Sequence, residues 1–306
     1  MIAAARRRAP HWHGMTGILT LLAAVCMSVA SGVLPERGAV RAETELGVEG
    51  QATEWRRLSE AIAVPELLEV MRIEGVRYGD EIGAEFLADG GGSWQAVVAR
   101  IYDRDKMLTA VMTGLKGEIA DEQLAELNVF FASERGRQIV RQEILAREAF
   151  LDPATEEAAR TALAEAEGAA ETDAATARRL ELLQAYVDEN DLVDFNVAGA
   201  LTSNYRFYRG LADGGGWTVS EDEMLAEVWA QEDEIRVDTT EWLMAYLLMA
   251  YAPLSDGDIE AYVALSKTPA GRALNRGLFA GFDRMYADLS YALGLAAAVQ
   301  MQGEDL

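Results

Sequence analysis

The chain has 306 residues, of which 51 are acidic and 27 basic, and its formal charge is −24. This balance disfavours nucleic acids and anionic membrane surfaces as partners, because both reward basic patches. It permits cations, basic partners or simply a solvated acidic surface.

The N-terminus has the pattern of a secretory signal peptide. Three consecutive arginines that begin at Arg6 precede an uncharged, largely apolar stretch over 17–34, and Ala42 ends a small-x-small cleavage site. A cut after Ala30 is the alternative. We therefore predict a signal peptide over 1–42, a periplasmic or secreted protein, and no membrane span after cleavage. An uncleaved anchor is the other reading, because a stretch of this length could just span a bilayer.

Cleavage would change the chemistry that is open to the protein. It would remove His11, His13 and Cys26, which are the only histidines and the only cysteine of the chain. The mature chain would then lack the residues for a Ser-His-Asp triad, a thiol nucleophile, a disulfide or a His- or Cys-ligated metal site. It would also lose five of the 27 basic and one of the 51 acidic residues, which leaves a formal charge of −28. We predict no metal and no cofactor.

Two parts of the chain resemble each other, which predicts an internal duplication. The segment Leu-Ala-Asp-Gly-Gly-Gly at 87–92 recurs at 211–216, 124 residues later, and Gly-Arg at 136–137 recurs at 271–272, 135 residues later. One insertion of 11 residues around 217–227 would explain the change of offset. Two further pairs share the second offset: Trp94 with Trp229 and Asp103 with Asp238.

Proline is rare and β-branched residues do not alternate over any useful length, which favours helices throughout. We predict an all-α fold of two tandem helical-bundle repeats packed together, with no sheet. The first repeat covers 43–152 and the second covers 175–306. An Ala/Glu-rich helical linker over 153–174 joins them, although its composition would also suit a solvated spacer.

Three stretches are apolar enough to predict core helices. Residues 242–252 are apolar nearly all round, 289–299 less so, and 107–115 is the counterpart of the first in the other repeat. Helices without a polar face are buried by other helices, and these are too short to cross a membrane. Asp121 and Asp256 precede apolar residues at helical spacing, which predicts that each caps a helix.

The two copies are most similar in a short turn. It reads Phe-Phe-Ala-Ser-Glu-Arg-Gly-Arg at 130–137 and Leu-Ser-Lys-Thr-Pro-Ala-Gly-Arg at 265–272. Ser133 and Thr268 are predicted to cap the helix that follows, with a glycine in its first turn and an arginine next to the glycine.

The candidate binding residues of these turns are Gly136, Arg137, Gly271 and Arg272. A helix N-terminus beside an arginine favours an anion, so each turn could bind an acidic group or a peptide. The structural alternative is a tightly packed helix corner whose arginine pairs with a nearby carboxylate.

These turns resemble the hallmark of an exported bacterial family, domain of unknown function 2059, whose signature is an aromatic pair, a Ser-Pro-x-Gly turn and a helix. The first copy has the aromatic pair Phe130 and Phe131 but Glu134 in place of the proline. The second has Pro269 and Gly271 but no aromatic pair. The resemblance implies a helical fold and export to the envelope, and it brings no activity.

Carboxylates are the remaining candidates for chemistry. Two of them can hydrolyse a glycoside if burial keeps one protonated, and Asp103 with Asp238 or Asp89 with Asp213 occupy equivalent repeat positions, although local capping is the simpler role. Residues 188–191 begin like a calcium loop but lack its later ligand and glycine.

The sequence does not identify an activity. It favours a non-catalytic periplasmic helical protein that binds or scaffolds an unknown envelope protein or peptide. The alternative is a carboxylate-only hydrolase that acts on envelope glycan, and a third hypothesis is a cation-binding protein.

Overall fold

The computed structural model describes residues 44–86 and 92–302. Within these ranges the chain is helical with no strand, which confirms the all-α prediction. The predicted signal peptide over 1–42 and most of the first glycine loop lie outside the described residues.

The described helices are numbered in chain order. They are α1 (Thr44–Ala61), α2 (Val64–Phe86), α3 (Gly92–Ile101), α4 (Arg104–Glu118), α5 (Asp121–Phe131), α6 (Glu134–Ala149), α7 (Pro153–Ala170), α8 (Ala174–Glu189), α9 (Leu192–Asp213), α10 (Glu221–Trp229), α11 (Glu232–Tyr251), α12 (Asp256–Ser266) and α13 (Pro269–Met301).

Helices α1–α6 and α8–α13 form two sets of six that share many contacts. In each set the first helix packs on the second and the fifth, the second packs on the third, fourth and sixth, and the fifth packs on the sixth. The sixth helix of each set also packs on the fourth helix of the other, α6 on α11 and α13 on α4. The two sets therefore interlock. These recurring contacts support the duplication, which stays a prediction.

The helix ends place the change of offset differently from the sequence comparison. Ile101 and Trp229 end α3 and α10, and a two-residue turn leads to the next helix in both cases, whereas α5 and α12 begin at Asp121 and Asp256. The offset between the equivalent helix ends is therefore 128 at the end of α10, and the rest of the shift to 135 arises in the longer α11 and the loop after it. These helix boundaries favour more than one length change over a single insertion around 217–227, and the insertion stays a prediction.

Helix α13 runs through the centre of the fold and approaches two other helices closely. It crosses α4 where Gly114 faces Gly281, and a Cβ atom on Gly281 would lie 2.7 Å from the Cα of Val111. It crosses α9 where Gly210 faces Gly294, and a Cβ atom on either glycine would collide with the opposite backbone. Glycine is needed at both crossings because the backbones touch.

The predicted core helices are confirmed in two cases. In α11 every residue over 242–247 is buried, and in the last part of α13 Leu289, Leu293 and 296–298 are buried. In the third stretch, 107–115, only the residues on one face of α4 are buried, and that face packs on α13.

The predicted caps Asp121 and Asp256 are wrong by one residue. Ala120 and Ser255 occupy the N-cap positions. The Ser255 hydroxyl accepts a hydrogen bond from the Asp258 backbone N–H, so a serine already satisfies the first turn of α12. Asp121 is instead the first helical residue of α5.

The segment between the two sets is a packed helix. Helix α7 lies against α8 and α11 and buries Ala159 and Leu163. Its Arg160 binds Asp238 of α11 at 2.9 Å. The linker is therefore part of the folded body and is not a solvated spacer.

Candidate functional site

The first corner joins α5 to α6 and is built as predicted. Ser133 caps α6, since its Oγ accepts a hydrogen bond from the Gly136 N–H at 3.0 Å. The same hydroxyl donates to the carbonyl of Phe130 at 2.5 Å. Gly136 is buried, and a Cβ atom there would lie 2.7 Å from the Cα of Phe131. The glycine therefore lets α6 turn back closely on α5.

The second corner joins α12 to α13 in the same way. Thr268 caps α13, and its Oγ1 accepts a hydrogen bond from the Gly271 N–H at 3.0 Å. Pro269 takes the first helical position, where its missing N–H costs nothing. Gly271 is buried.

Each corner contacts the first turn of the fifth helix of the other set. Arg135 of the first corner binds Asp258 of α12, with 2.7 Å between Nε and Oδ1. Gln123 of α5 donates from its side-chain nitrogen to the carbonyl of Pro269 at 3.2 Å. Each corner therefore connects the two sets, through residues that are 123 and 146 positions apart in the sequence.

Both corner arginines are already paired with carboxylates. Arg137 donates to the carbonyl of Ala132 and to the Glu134 carboxylate, the latter at 2.8 Å. Arg272 binds Glu189 at the end of α8 at 3.3 Å. These contacts favour the structural role, and the binding role of the two glycine–arginine pairs stays a prediction.

We expect the substitution Gly136→Ala to lower the free energy of unfolding by about 1–3 kcal/mol, because the new methyl group would press on the backbone of α5. Urea unfolding followed by circular dichroism measures this. Gly117→Ala is the matched control, because a Cβ atom at Gly117 meets nothing within 4 Å, and it should stabilise the protein by up to about 1 kcal/mol. Equal stability of the Gly136 variant and the wild type would show that the corner does not require glycine.

An open groove of about 1420 Å³ runs along α1, α5 and α6. Two of its lining side chains are apolar and exposed, Val129 at 76% and Leu145 at 46%. Five glutamates and three arginines also line it: Glu54, Glu60, Glu66, Glu134, Glu148, Arg57, Arg137 and Arg141. The groove is therefore lined by both apolar and charged side chains, with more glutamates than arginines, and the first corner lies within it.

The equivalent positions in the second set carry smaller side chains. Val129 corresponds to Ala264 and Leu145 to Ala280, and both alanines are exposed. Helix α13 packs along much of α9, whereas helix α6 makes far fewer contacts with α2. The pair of large, exposed apolar side chains is therefore particular to the first set.

A polar cluster that the sequence analysis missed lies in the core beneath α6. The Glu143 side chain is buried, and its Oε1 accepts a hydrogen bond from the Tyr251 hydroxyl at 2.6 Å. The Tyr246 hydroxyl donates to the Glu143 backbone carbonyl at 2.7 Å. Burial raises the pKa of Glu143 to about 8, against the opposing effect of hydrogen bonds from Tyr251 and Tyr262. At neutral pH this carboxyl group is therefore mostly protonated.

One turn further along α6, a buried ion pair joins the same cluster. Arg147 is only 2% exposed and binds Glu74 of α2 at 2.7 Å. Its guanidinium lies 5.4 Å from the centroid of the Trp242 ring. Burial raises the pKa of Glu74, and the charge of Arg147 opposes that rise. The ion pair therefore connects α2 to α6, and the Trp242 ring of α11 packs against it.

The hydrolase hypothesis requires a carboxyl group of raised pKa that a substrate can reach. Glu143 meets only the first condition, because it lies in the closed core. Burial also raises the pKa of Asp283 to about 6. Neither residue lines the groove along α1, α5 and α6 or the three smaller grooves among the described residues.

The carboxylates paired by the duplication have local structural roles. Asp103 caps α4, whereas Asp238 lies inside α11 and binds Arg160. Asp213 accepts hydrogen bonds from an arginine one turn earlier in α9. Asp89 lies outside the described residues. The structure therefore does not make the pair Asp103 and Asp238 equivalent.

Within residues 44–86 and 92–302, no three histidine, cysteine or acidic side chains are placed to hold a metal ion. The predicted calcium-like stretch at 188–191 forms the end of α8 and a turn in which Asn190 is fully buried.

None of the described helices is both long and apolar enough to cross a membrane.

Comparisons with protein-family models, with curated proteins and with solved structures find no match for this chain. The resemblance to domain of unknown function 2059 accordingly stays a prediction that rests on the two corner turns.

Proposed function

We propose that this chain is an exported, non-catalytic helical protein of the cell envelope, and that it binds a segment of another envelope protein in the groove along α1, α5 and α6. The observation that carries the proposal is the pair of exposed apolar side chains, Val129 and Leu145, in the groove. Apolar side chains that line a concave surface together are typical of a binding site.

The charged side chains that line the groove indicate the chemistry of the occupant. The groove has more glutamates than arginines, and two of the arginines are bound to glutamates of their own helix, Arg57 to Glu54 and Arg137 to Glu134. A segment with an apolar face and basic flanks would complement it. An amphipathic helix suits the site, because it presents one apolar face and can carry basic residues beside that face.

Site-specific photo-crosslinking in the native cell envelope tests the proposal. A photoreactive residue at Val129 or Leu145 should give one and the same polypeptide adduct, which mass spectrometry can identify. The same residue at the exposed Gln184 of α8, outside the groove, should not give that adduct. Identical adducts at all three positions, or none at the two groove positions, would count against the groove.

The variant Val129→Lys should reduce the affinity for the captured partner by tenfold or more, because it places a charge on the apolar contact. Val237→Lys is the matched control, since Val237 is a similarly exposed valine on α11. Biosensor titrations with the purified partner measure both affinities. Equal losses in the two variants would point to a general effect of charge.

A further inference from the structure

Helix α10 carries two large apolar side chains on its outer side. Leu225 is 38% exposed and Trp229 is 60% exposed, and they lie one helical turn apart. The other described tryptophans are buried or half-buried: Trp55, Trp94, Trp217 and Trp242. An exposed tryptophan next to a leucine costs solvation free energy in the isolated protein and is typical of a binding contact.

The helix presents this pair on a fixed support. Met224 and Val228 are buried on its inner side. The Tyr205 hydroxyl donates to Glu221 at 2.9 Å and holds the first turn, and the Asn204 side chain donates to Gln231 at 2.8 Å just beyond the last. Because both ends are attached to α9, little conformational entropy remains to be lost when a partner binds.

The surroundings of the pair are strongly acidic. Seven acidic residues occupy the 14 positions from 221 to 234: Glu221, Asp222, Glu223, Glu227, Glu232, Asp233 and Glu234. The nearest basic residue downstream is Arg236, and it is bound to Asp194 and Glu232. No basic residue occurs between Glu221 and Arg236, so the segment that carries Leu225 and Trp229 is acidic throughout.

We propose that the outer face of α10 is a second docking surface, and that it binds a basic protein whose apolar pocket receives Trp229 and Leu225. Lysine or arginine side chains at the rim of that pocket would pair with the surrounding carboxylates. A second copy of this chain is a poor occupant because its charge has the same sign, and an anionic membrane repels the surface for the same reason.

The probe for this surface is a synthetic amphipathic peptide of about 14 leucines and lysines with helical spacing. A matched peptide, in which serine replaces every leucine, keeps the charge and lacks the apolar face. In calorimetric titrations we expect the leucine peptide to bind at least tenfold more tightly than the serine peptide. These titrations use the Val129→Lys variant, because the unchanged groove would also bind such a peptide. Adding Trp229→Ala should abolish the advantage, and added salt should weaken the remaining binding.

Two controls separate this surface from the groove. Val237→Ala removes an exposed apolar side chain from α11 and should leave the affinity unchanged. Val129→Lys changes the groove and should also leave the Trp229-dependent binding unchanged. Equal affinity of Val129→Lys and of the double variant Val129→Lys with Trp229→Ala would overturn the proposal. Trp229-dependent binding to anionic vesicles, or Trp229-dependent dimerisation in sedimentation, would replace the basic partner by a membrane or a second copy.

Discussion

The substitution Glu143→Gln should stabilise the fold at pH 9 and should hardly change its stability at pH 5. Glu143 is buried, and its pKa of about 8 in the folded protein compares with 4.5 for an exposed glutamate. The unfolded chain therefore releases this proton at a lower pH than the folded chain does. The contribution of the Glu143 carboxyl group to the free energy of unfolding is complete below about pH 4.5. It is lost as the pH rises through 8.

The expected size of the effect follows from the difference in pKa. At about 1.4 kcal/mol per pKa unit, the wild type should lose roughly 4–5 kcal/mol between the two pH values through Glu143. Glutamine has nearly the same shape, keeps an oxygen that can accept the Tyr251 hydrogen bond, and carries no proton to lose. Urea unfolding as a function of pH should therefore show a flatter profile for the variant.

The matched control is Glu148→Gln, which replaces an exposed glutamate on the same helix. It should change the free energy of unfolding by no more than about 0.5 kcal/mol at either pH. If the profile of Glu143→Gln runs parallel to that of the wild type, the Glu143 carboxyl group is ionised in the folded protein. The buried tyrosine hydroxyls would then have to stabilise its charge.

The corner turns could be predicted because their structure is local. An N-cap requires a serine or threonine, and close contact with another helix requires a small residue one turn later. Both requirements can be recognised within four residues of the sequence. Ser133 and Thr268 therefore meet the prediction in full. The error at Asp121 and Asp256 is also local, since alanine or serine one residue earlier takes the cap position.

The buried cluster could not be predicted from helix spacing alone. Glu143 and Arg147 are four residues apart, and on an exposed helix that spacing is typical of a solvated ion pair. They are buried because α11 covers them with residues about a hundred positions away. One signal was present, since both residues lie in the apolar stripe of α6 with Ile139, Ala146 and Phe150.

The groove depends on the relative positions of helices, which a repeat comparison does not contain. Leu145 and Ala280 occupy equivalent places after the corner turns and both are exposed, but only Leu145 is a large apolar side chain. The difference in side-chain size is visible in the sequence. The concave surface around Leu145 is formed by several helices, and their relative positions are visible only in the structure.

The substitution Glu74→Gln should destabilise the protein by about 3–5 kcal/mol at neutral pH. Arg147 is 2% exposed and loses the carboxylate that neutralises it, so the variant must bury an unpaired cation or rearrange the core. The ring of Trp242 compensates only in part. Chemical unfolding at constant pH measures the loss.

Two further variants show whether this loss belongs to the buried pair. Glu54→Gln breaks an exposed ion pair with Arg57 and should cost no more than about 0.5 kcal/mol. The double substitution Glu74→Leu with Arg147→Met removes both charges and should recover most of the stability or exceed it, because an apolar pair of similar volume avoids the desolvation of two ions. A double variant as unstable as Glu74→Gln would mean that the shape of the pair, and not its charge, holds α2 against α6.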